Sequence, residues 1–306
     1  MKILLLSCNQ ISRKNWTHQL FRNEIGRHHD VTYYGDLYPG YIPGKPIPEV
    51  IKGKNFDLIF TYGLRYTEPF LGLGEIKNIP KVHYAVDYFK KLGGGTYARN
   101  HKLFTRDKYD LYFCVVGDIL KNIKKNGYSN SYLLPFSIDT NIYKRNKEFK
   151  SKNIDVSAIF TTRDDVYPNR NRIQKMIKKF KDIKTYIKQV QHQQYIDKIN
   201  SSKICITSNN KSKSLSIKYY EILACGSMLL ADEPEDLQEL GFIPGKHLVI
   251  YDGLDDLKNK IYWYLSHGKK LRTISNQGME FVRQNHNNTI RVKQFTKIIR
   301  KQLGIK

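Results

Sequence analysis

Short apolar runs alternate with segments of helical periodicity along the first half of the chain. Five runs have the length and composition of buried strands: KILLLSC (2–8), DVTYYG (30–35), FDLIFTYG (56–63), KVHYAV (81–86) and DLYFCVV (110–116). Helical patterns lie at about 14–27, 96–107 and 117–126, and YLLP (132–135) adds a last strand. Strands that alternate with helices form right-handed βαβ units, so this half predicts a parallel sheet.

The same alternation starts again after a polar segment, KRNKEFKSKN (144–153), which we interpret as a linker. Further strands are predicted at 155–160, 184–190, 203–208, 228–232 and 247–252. Helices are predicted at 168–180, about 193–202, 217–226, 254–268 with Gly268 as its C-terminal cap, 270–285 and 288–302. We therefore expect an α/β protein with two doubly wound, Rossmann-like domains, 1–147 and 148–306. They are expected to face each other across a cleft, with the last helix free to pack back on the N-terminal domain.

Charge is the unusual feature of the composition. The 306 residues include 52 Lys plus Arg against 28 Asp plus Glu, a formal net charge of +24. Such a field attracts nucleic acid, anionic lipid or a phosphate-bearing polymer, although lysines on solvated faces give the same count. No apolar run is long enough to cross a bilayer, the first is too short for a signal peptide, and the four Cys are widely spaced. We predict a cytoplasmic protein, with any membrane contact peripheral, at the inner face.

The sequence lacks the signatures of several common enzyme classes. No G-x-G-x-x-G follows the first strand, which argues against a dinucleotide dehydrogenase. There is no P-loop motif, no G-x-S-x-G nucleophile elbow and no H-E-x-x-H zinc motif. Any catalytic or binding site of this chain must therefore be built from residues outside these motifs.

A carboxylate interrupts an otherwise apolar helix in SKSLSIKYYEILACGS (212–227). The serines, Ser216 among them, precede the helix, and free N–H groups and the helix dipole at such a start suit a pyrophosphate. Glu221 lies about two turns further on, where a carboxylate can accept hydrogen bonds from two neighbouring ribose hydroxyls. A solvent-facing Glu is the alternative, but the apolar Ile222 and Leu223 beside it favour a partly enclosed position.

The C-terminal half resembles the GT-B glycosyltransferases. The segment KYYEILACGSMLLADEPEDLQELGFIPGKHLVIYDGLDDLKNKIYWYL, followed by ISNQGMEFVRQNHNNTIRVKQF, is similar to the group that contains the spore-maturation CgeB-like proteins. The resemblance covers about residues 154–300, and YLLPFSIDTNIY is similar to the turn that ends GT-B N-terminal domains. It implies a GT-B fold and a hexosyltransferase-type enzyme that transfers a sugar from a nucleotide-sugar donor.

The resemblance also implies roles for residues of the second domain. Glu221 is expected to hold the ribose, while Lys218 and Arg163 neutralise the pyrophosphate. Arg170 is a further candidate cation and Ser216 a further contact at the helix start. Fixed cations stabilise the negative charge that the leaving nucleoside diphosphate gains in the transition state.

The base of the donor, with UDP-sugar as the expected donor, is predicted to pack against the loop QVQH (189–192), through Val190 and His192. No cofactor and no essential metal are implied. Asp164 and Asp165 have the form of a metal-binding pair, but they belong to the second domain. Many retaining enzymes of this fold have a Glu where this chain has Lys213, so the stereochemical outcome stays open.

The candidate catalytic base lies in the first domain. Asp87 follows the strand KVHYAV, at the edge where a doubly wound domain places its site, and an inverting enzyme needs a carboxylate to take the acceptor's proton. His83 is the weaker candidate, because it lies within the strand. A retaining enzyme needs no base of this kind.

The acceptor is expected to be a polyanion, since donor binding uses only a few of the cations. An anionic surface polymer or lipid-linked saccharide is our first choice, and DNA in a viral setting is the second. A non-catalytic GT-B-like protein that binds nucleic acid or another polyanion is the remaining alternative, although no recognisable nucleic-acid-binding module is present.

Overall fold

The structure is a computed structural model of the chain that describes residues 1–11, 16–63, 70–86, 88 and 96–305. Two compact units are present, Met1–Pro135 together with Thr289–Lys306, and Phe136–Asn288. The domain boundary predicted at 147/148 falls within the second unit, and the last helix falls almost entirely within the first. In the described ranges, no helix combines the length and the apolar character needed to span a membrane.

The first unit contains a six-stranded parallel sheet with the order β2-β1-β3-β4-β5-β6. Its strands are β1 (Lys2–Leu6), β2 (Asp30–Tyr34), β3 (Leu58–Tyr62), β4 (Lys81–Ala85), β5 (Leu111–Cys114) and β6 (Ser131–Leu133). Its helices are α1 (Trp16–His28), α2 (Ile47–Val50), α3 (Thr96–Asp107) and α4 (Gly117–Lys125), with a short 3-10 helix at Leu73–Glu75. The central strands β3 and β4 are buried along their whole length, as expected for parallel strands covered on both faces.

The second unit contains a five-stranded parallel sheet with the order β11-β10-β9-β7-β8. Its strands are β7 (Ile154–Ser157), β8 (Thr185–Tyr186), β9 (Ser202–Thr207), β10 (Met228–Ala231) and β11 (Val249–Ile250). Its helices are α5 (Arg170–Ile177), α6 (His192–Ser201), α7 (Ile217–Ala224), α8 (Gly253–Ser266) and α9 (Gly268–Asn285), with a 3-10 helix at Phe149–Ser151. The strand order reverses at β7, so the loops after β7 and β9 border the crevice where doubly wound sheets bind ligands.

The last helix, α10 (Asn288–Leu303), completes the first unit. Phe295 packs edge-on against Phe60 of β3 and lies close to Phe113 of β5, with ring centroids 4.9 and 5.3 Å apart. At the helix surface, His29 Nε2 and Thr296 Oγ1 form a 2.8 Å hydrogen bond. The C-terminal segment is therefore part of the core of the N-terminal unit.

Two local predictions differ from the structure. Gly268 does not cap α8, which ends at Ser266; it begins α9. The polar segment 144–153 is not a free linker, because the buried Lys152 ammonium donates hydrogen bonds to the Asn200 carbonyl (2.8 Å) and the Ser227 hydroxyl (3.0 Å). The segment was interpreted as a linker because it is polar and charged, and this composition gives no sign that Lys152 is buried within the second unit.

Candidate functional site

The carboxylate of Glu221 is enclosed within the second unit. The residue is 5% exposed, and its Oε1 accepts a 3.3 Å hydrogen bond from the Tyr143 hydroxyl. Tyr143 is itself buried, and a turn in which its N–H donates to the Asp139 carbonyl (2.8 Å) fixes its backbone. A buried carboxylate is costly unless hydrogen bonds compensate for its lost hydration. The solvent-facing alternative for Glu221 is therefore wrong.

The end of α7 explains the sequence Ala-Cys-Gly that follows this carboxylate. Cys225 is the C-cap, and Gly226 has a φ of 67° and donates its N–H to the Leu223 carbonyl (2.9 Å). This left-handed conformation strongly favours glycine. A side chain at Gly226 would also collide with the guanidinium of Arg145. The helix thus ends where β10 can begin.

The start of α7 has the features of an anion site. Ser216 is the N-cap residue, and its buried hydroxyl has no hydrogen-bond partner among the residues that the structure describes. The preceding loop is fixed by Asn210 Oδ1, which accepts from the Ser212 N–H (2.9 Å), and by Asp236 Oδ1, which accepts from the Leu215 N–H (3.0 Å). The first N–H groups of a helix lack intrahelical partners. A phosphate here would satisfy both these groups and the cap hydroxyl.

Lys218 lies one turn from Glu221 on the same helix. Its ammonium donates a 3.1 Å hydrogen bond to the Tyr195 hydroxyl and lies 4.2 Å from the centre of the Tyr195 ring. Burial lowers the pKa of Lys218 to about 8, an effect that the Glu221 charge opposes and the Arg170 charge increases. Burial, with the Glu221 charge as a smaller contribution, raises the pKa of Tyr195 well above its ordinary value. The tyrosine is therefore a neutral partner for the ammonium.

The loop predicted to hold the base adjoins this group. Val190 and His192 line an open cavity of about 480 Å³ formed by residues 189–194. His192 is the first residue of α6, and Tyr195 lies one turn further along the same helix. The helix that begins in the predicted base loop therefore also carries the tyrosine that Lys218 contacts.

The two predicted arginines have different environments. Arg163 is exposed in the loop after β7 and forms a 2.6 Å ion pair with the exposed Asp165. Throughout the described part of the chain, no hydrogen bond or ion pair joins Arg163 to α7. Arg170 is buried at the start of α5, where its Nε and Nη2 donate to the Ser208 carbonyl (3.3 and 3.1 Å) and its guanidinium stacks on Tyr167 at 3.4 Å.

The donors of Arg170 therefore already bind protein groups, which argues for a structural role. Burial lowers the pKa of this guanidinium from its usual value. Arg163, by contrast, is held only by an exposed pair that a phosphate can replace at little cost.

A polar cavity lies at the carboxyl ends of the second sheet. Loops after β7, β9, β10 and β11 enclose about 620 Å³. Asp232 lies in its wall and accepts hydrogen bonds from the Ser208 hydroxyl (2.9 Å) and the Asn209 N–H (2.6 Å), while burial raises its pKa. Lys213 also lines this cavity, whereas Glu221 and Lys218 do not.

The structure places His83 in the core of the first unit. Its Nδ1 lies 2.6 Å from the Thr61 hydroxyl, and the rings of Phe104 and Tyr109 lie 5.0 and 5.1 Å away. Burial lowers the pKa of His83 to about 3, so the ring is neutral at physiological pH. This environment is that of a core histidine and does not support the predicted catalytic role. Asp87, the preferred catalytic candidate, lies outside the described residues.

Three residues of the site escaped the sequence analysis, namely Tyr143, Tyr195 and Asp232. Of these, Asp232 had a usable signal, because it directly follows the apolar run of β10 at the sheet edge where ligands bind. Within the described ranges, no group of three or more His, Cys, Asp or Glu side chains could hold a metal ion. The absence of an essential metal stays a prediction.

Comparison with known proteins supports the fold and the enzyme class. Residues 161–297 match a family model described as "Glycosyl transferase-like". No curated protein matched the chain. The CgeB-like group within the glycosyltransferases stays a prediction.

Solved structures match over nearly the whole chain. Anabaena HepE in complex with UDP-glucose is 13% identical with a TM-score of 0.77, over 98% of this chain and 100% of HepE. Sucrose-phosphate synthase from Thermosynechococcus elongatus is 13% identical with a TM-score of 0.71, over 100% of both chains. An alpha-glucosyltransferase in complex with UDP-glucose and DNA containing an abasic site is 14% identical with a TM-score of 0.66, over 97% of this chain and 99% of that one. The chain therefore has the GT-B fold, and its residues 161–297 are similar to glycosyltransferases.

Proposed function

We propose that this enzyme transfers a sugar from a nucleoside diphosphate sugar, with UDP as the expected nucleotide, and that the second unit binds the donor along α7. The observation that carries the proposal is Glu221, a buried carboxylate just over one turn into a helix. The N-cap hydroxyl of this helix has no hydrogen-bond partner among the described residues. A ribose diol and a pyrophosphate need such an acceptor and such an anion site within one nucleotide's length of each other. UDP is part of the complexes solved for HepE and for the alpha-glucosyltransferase, which support this choice of nucleotide.

The cations are proposed to act on the departing nucleoside diphosphate. Lys218 supplies a fixed charge one turn before Glu221, and Arg163 supplies a second charge once a phosphate replaces Asp165. Both stabilise negative charge that grows as the glycosidic bond breaks. Val190 and His192 are proposed to contact the base. The reaction is proposed to need no metal, so turnover should persist in a chelator.

The proposed acceptor is an anionic surface polymer or a lipid-linked saccharide, modified in the cytoplasm or at the inner face of the membrane. The net charge of +24 supports a polyanionic acceptor, because the donor needs only a few of these cations. DNA is the second candidate, supported by the similar alpha-glucosyltransferase solved with DNA. Binding of either should weaken steeply with salt, because counterions are released when a polyanion binds.

The test is hydrolysis of the donor without an acceptor, measured over UDP-, GDP-, dTDP- and CMP-sugars. We expect one donor, a UDP-sugar, to be hydrolysed, and Glu221→Gln to reduce both this turnover and the affinity for UDP measured by calorimetry. Glu280→Gln is the matched control, because Glu280 is an exposed carboxylate on α9 of the same unit. Unchanged UDP binding in Glu221→Gln would remove Glu221 from the site, and a failure to hydrolyse or bind any donor would favour the non-catalytic alternative.

A further inference from the structure

A basic groove lies in the first unit, which contains none of the residues assigned to the donor. His28 and His29, at and just beyond the end of α1, form a groove of about 660 Å³ with the surface of α10. Four cations of α10 line it, with the spacing i, i+4, i+7 and i+8: Lys293, Lys297, Arg300 and Lys301. Residues with this spacing lie on one face of a helix. The cations therefore form a single row along one wall.

Among the residues that the structure describes, no carboxylate neutralises this row. Each of the four side chains is exposed, and in the described parts of the chain none of them forms an ion pair or a side-chain hydrogen bond. The residues that line the groove include no Asp or Glu. Glu24, on α1, accepts hydrogen bonds from Arg27 (2.7 Å) and Thr289 (2.6 Å) and lies 3.1 Å from His28 of the groove, so it pairs with α1 and not with the row. The groove thus concentrates part of the excess positive charge in one concave place.

The walls of the groove are fixed by packing. Phe295 and Ile299 of α10 are buried in the core of the unit, and Val292, which is also buried, lines the groove between its two walls. The hydrogen bond between His29 and Thr296 joins the two walls at the bottom of the groove. A ligand would therefore meet a preformed site, which lowers the entropic cost of binding.

The position of the groove separates it from the catalytic edge of the same sheet. His29 immediately precedes β2, and the Asp30 N–H donates to the carbonyl of Met1 at the start of β1. The groove therefore lies at the amino ends of these strands, whereas doubly wound sheets bind substrates at the carboxyl ends. It is not part of the proposed reaction centre.

We propose that this groove binds a phosphodiester chain, as an anchoring site distinct from the donor site. From Lys293 to Lys301 the helix rises by about 12 Å, which is long for one phosphate and suits successive phosphates of a chain. A flat lipid surface fits less well, since none of the large exposed apolar side chains found in the described residues lines the groove and could enter a bilayer. No Phe, Tyr or Trp lines the groove as a platform on which a base could stack, so recognition should be independent of sequence.

The test uses the full chain without a nucleotide sugar and a fluorescein-labelled single-stranded oligodeoxynucleotide as the phosphodiester probe. Lys297→Ala combined with Lys301→Ala should weaken binding about tenfold or more. The slope of log K against log salt should become shallower by about 1.4, at about 0.7 for each phosphate contact on a single strand. Alanine favours the helical conformation, and circular dichroism and UDP binding check that the fold is intact.

The control removes the same charge elsewhere: Lys269→Ala combined with Lys270→Ala, both exposed on α9 of the second unit. It should leave binding nearly unchanged. Equal losses in the two double variants, or no loss in the first, would overturn the proposal, because the charge would then act only diffusely.

Poly(glycerol phosphate) should displace the oligonucleotide, and its failure to do so would overturn a site for the phosphodiester link. Phosphatidylglycerol vesicles bound through Lys297 and Lys301, with oligonucleotide binding unaffected by their loss, would overturn it in favour of a lipid surface.

The outcome is independent of the proposed donor chemistry. Oligonucleotide binding is measured without a donor, and UDP binding to the α10 variants is measured separately. A variant that loses oligonucleotide binding but keeps its UDP affinity is therefore distinguishable from one that loses UDP affinity but keeps oligonucleotide binding.

Discussion

The Tyr143 hydroxyl donates a 3.3 Å hydrogen bond to Glu221 Oε1 across 78 positions of sequence. Tyr143 lies in the chain that leads into the second sheet, and Glu221 lies on the helix between β9 and β10. The bond helps to fix the plane of the carboxylate, and an ionised carboxylate offers about four acceptor positions in all. Tyr143 is therefore a positioning residue for the acceptor that we assign to the ribose.

Tyr143→Phe tests this relationship. We expect affinity for UDP to fall about tenfold, since a hydrogen bond to a charged group contributes about 1.5–3 kcal/mol and about 1.4 kcal/mol corresponds to a factor of ten. Calorimetry with UDP measures the effect, and a thermal melt measures the stability of the same variant. If the melting temperature falls while UDP affinity is unchanged, Tyr143 serves only packing.

Lys218 predicts that donor binding depends on pH. Burial lowers its pKa to about 8, so its ammonium is charged at pH 7 and largely neutral at pH 9. A bound pyrophosphate favours the charged form, so UDP affinity should fall about tenfold between these pH values, with proton uptake on binding near the upper one. Calorimetry in buffers of different ionisation enthalpy measures both quantities.

Lys218→Arg shows whether Lys218 or another group causes the pH dependence of UDP affinity, because a guanidinium stays charged over the whole pH range. The pH dependence should become flat in this variant. Burial also lowers the pKa of Lys152 to about 8. A pH dependence that survives in Lys218→Arg would therefore assign it to Lys152 or another group and contradict the prediction.

The lowered pKa of Lys218 also affects the free energy of unfolding. Raising the pH weakens UDP binding but increases this free energy. The folded-state pKa of Lys218 is lower than the unfolded value of 10.5, so between about 8 and 10.5 the unfolded chain binds more protons. Without ligand, this residue therefore makes the protein more stable as pH rises through that window.

Arg163 and Arg170 should respond differently to mutation. Arg163→Ala should reduce UDP affinity and leave the melting temperature unchanged, because the side chain is exposed and its partner Asp165 is exposed as well. Arg170→Lys should lower the melting temperature, because an ammonium cannot both stack on Tyr167 and reproduce the paired donation to the Ser208 carbonyl. If Arg170→Lys reduces UDP affinity and Arg163→Ala does not, the donor contact belongs to Arg170.

The contrast shows what the sequence could and could not predict. The strands were predictable because parallel strands buried on both faces are continuous apolar runs. The enclosed position of Glu221 was predictable because the residue interrupts an otherwise apolar helix. Tyr143 and Tyr195 were not, since their roles depend on contacts formed only when distant segments pack together. The contacts of Arg170 were not predictable either, because an arginine at a helix start does not indicate whether its guanidinium binds solvent, a phosphate or a backbone carbonyl.

Two variants decide whether Asp87 or His83 is the catalytic base. If the enzyme inverts configuration, Asp87→Asn should reduce turnover by about 10²–10⁴-fold, the usual contribution of a general base, with UDP affinity unchanged. His83→Gln should instead retain turnover and lower the melting temperature, because it disturbs the buried hydrogen bond to Thr61 and the packing against Phe104. Initial rates with the preferred donor, calorimetry and thermal melts measure the three quantities. Full turnover in Asp87→Asn would end its role as the base, and a pure loss of turnover in His83→Gln, with stability intact, would return that role to the histidine.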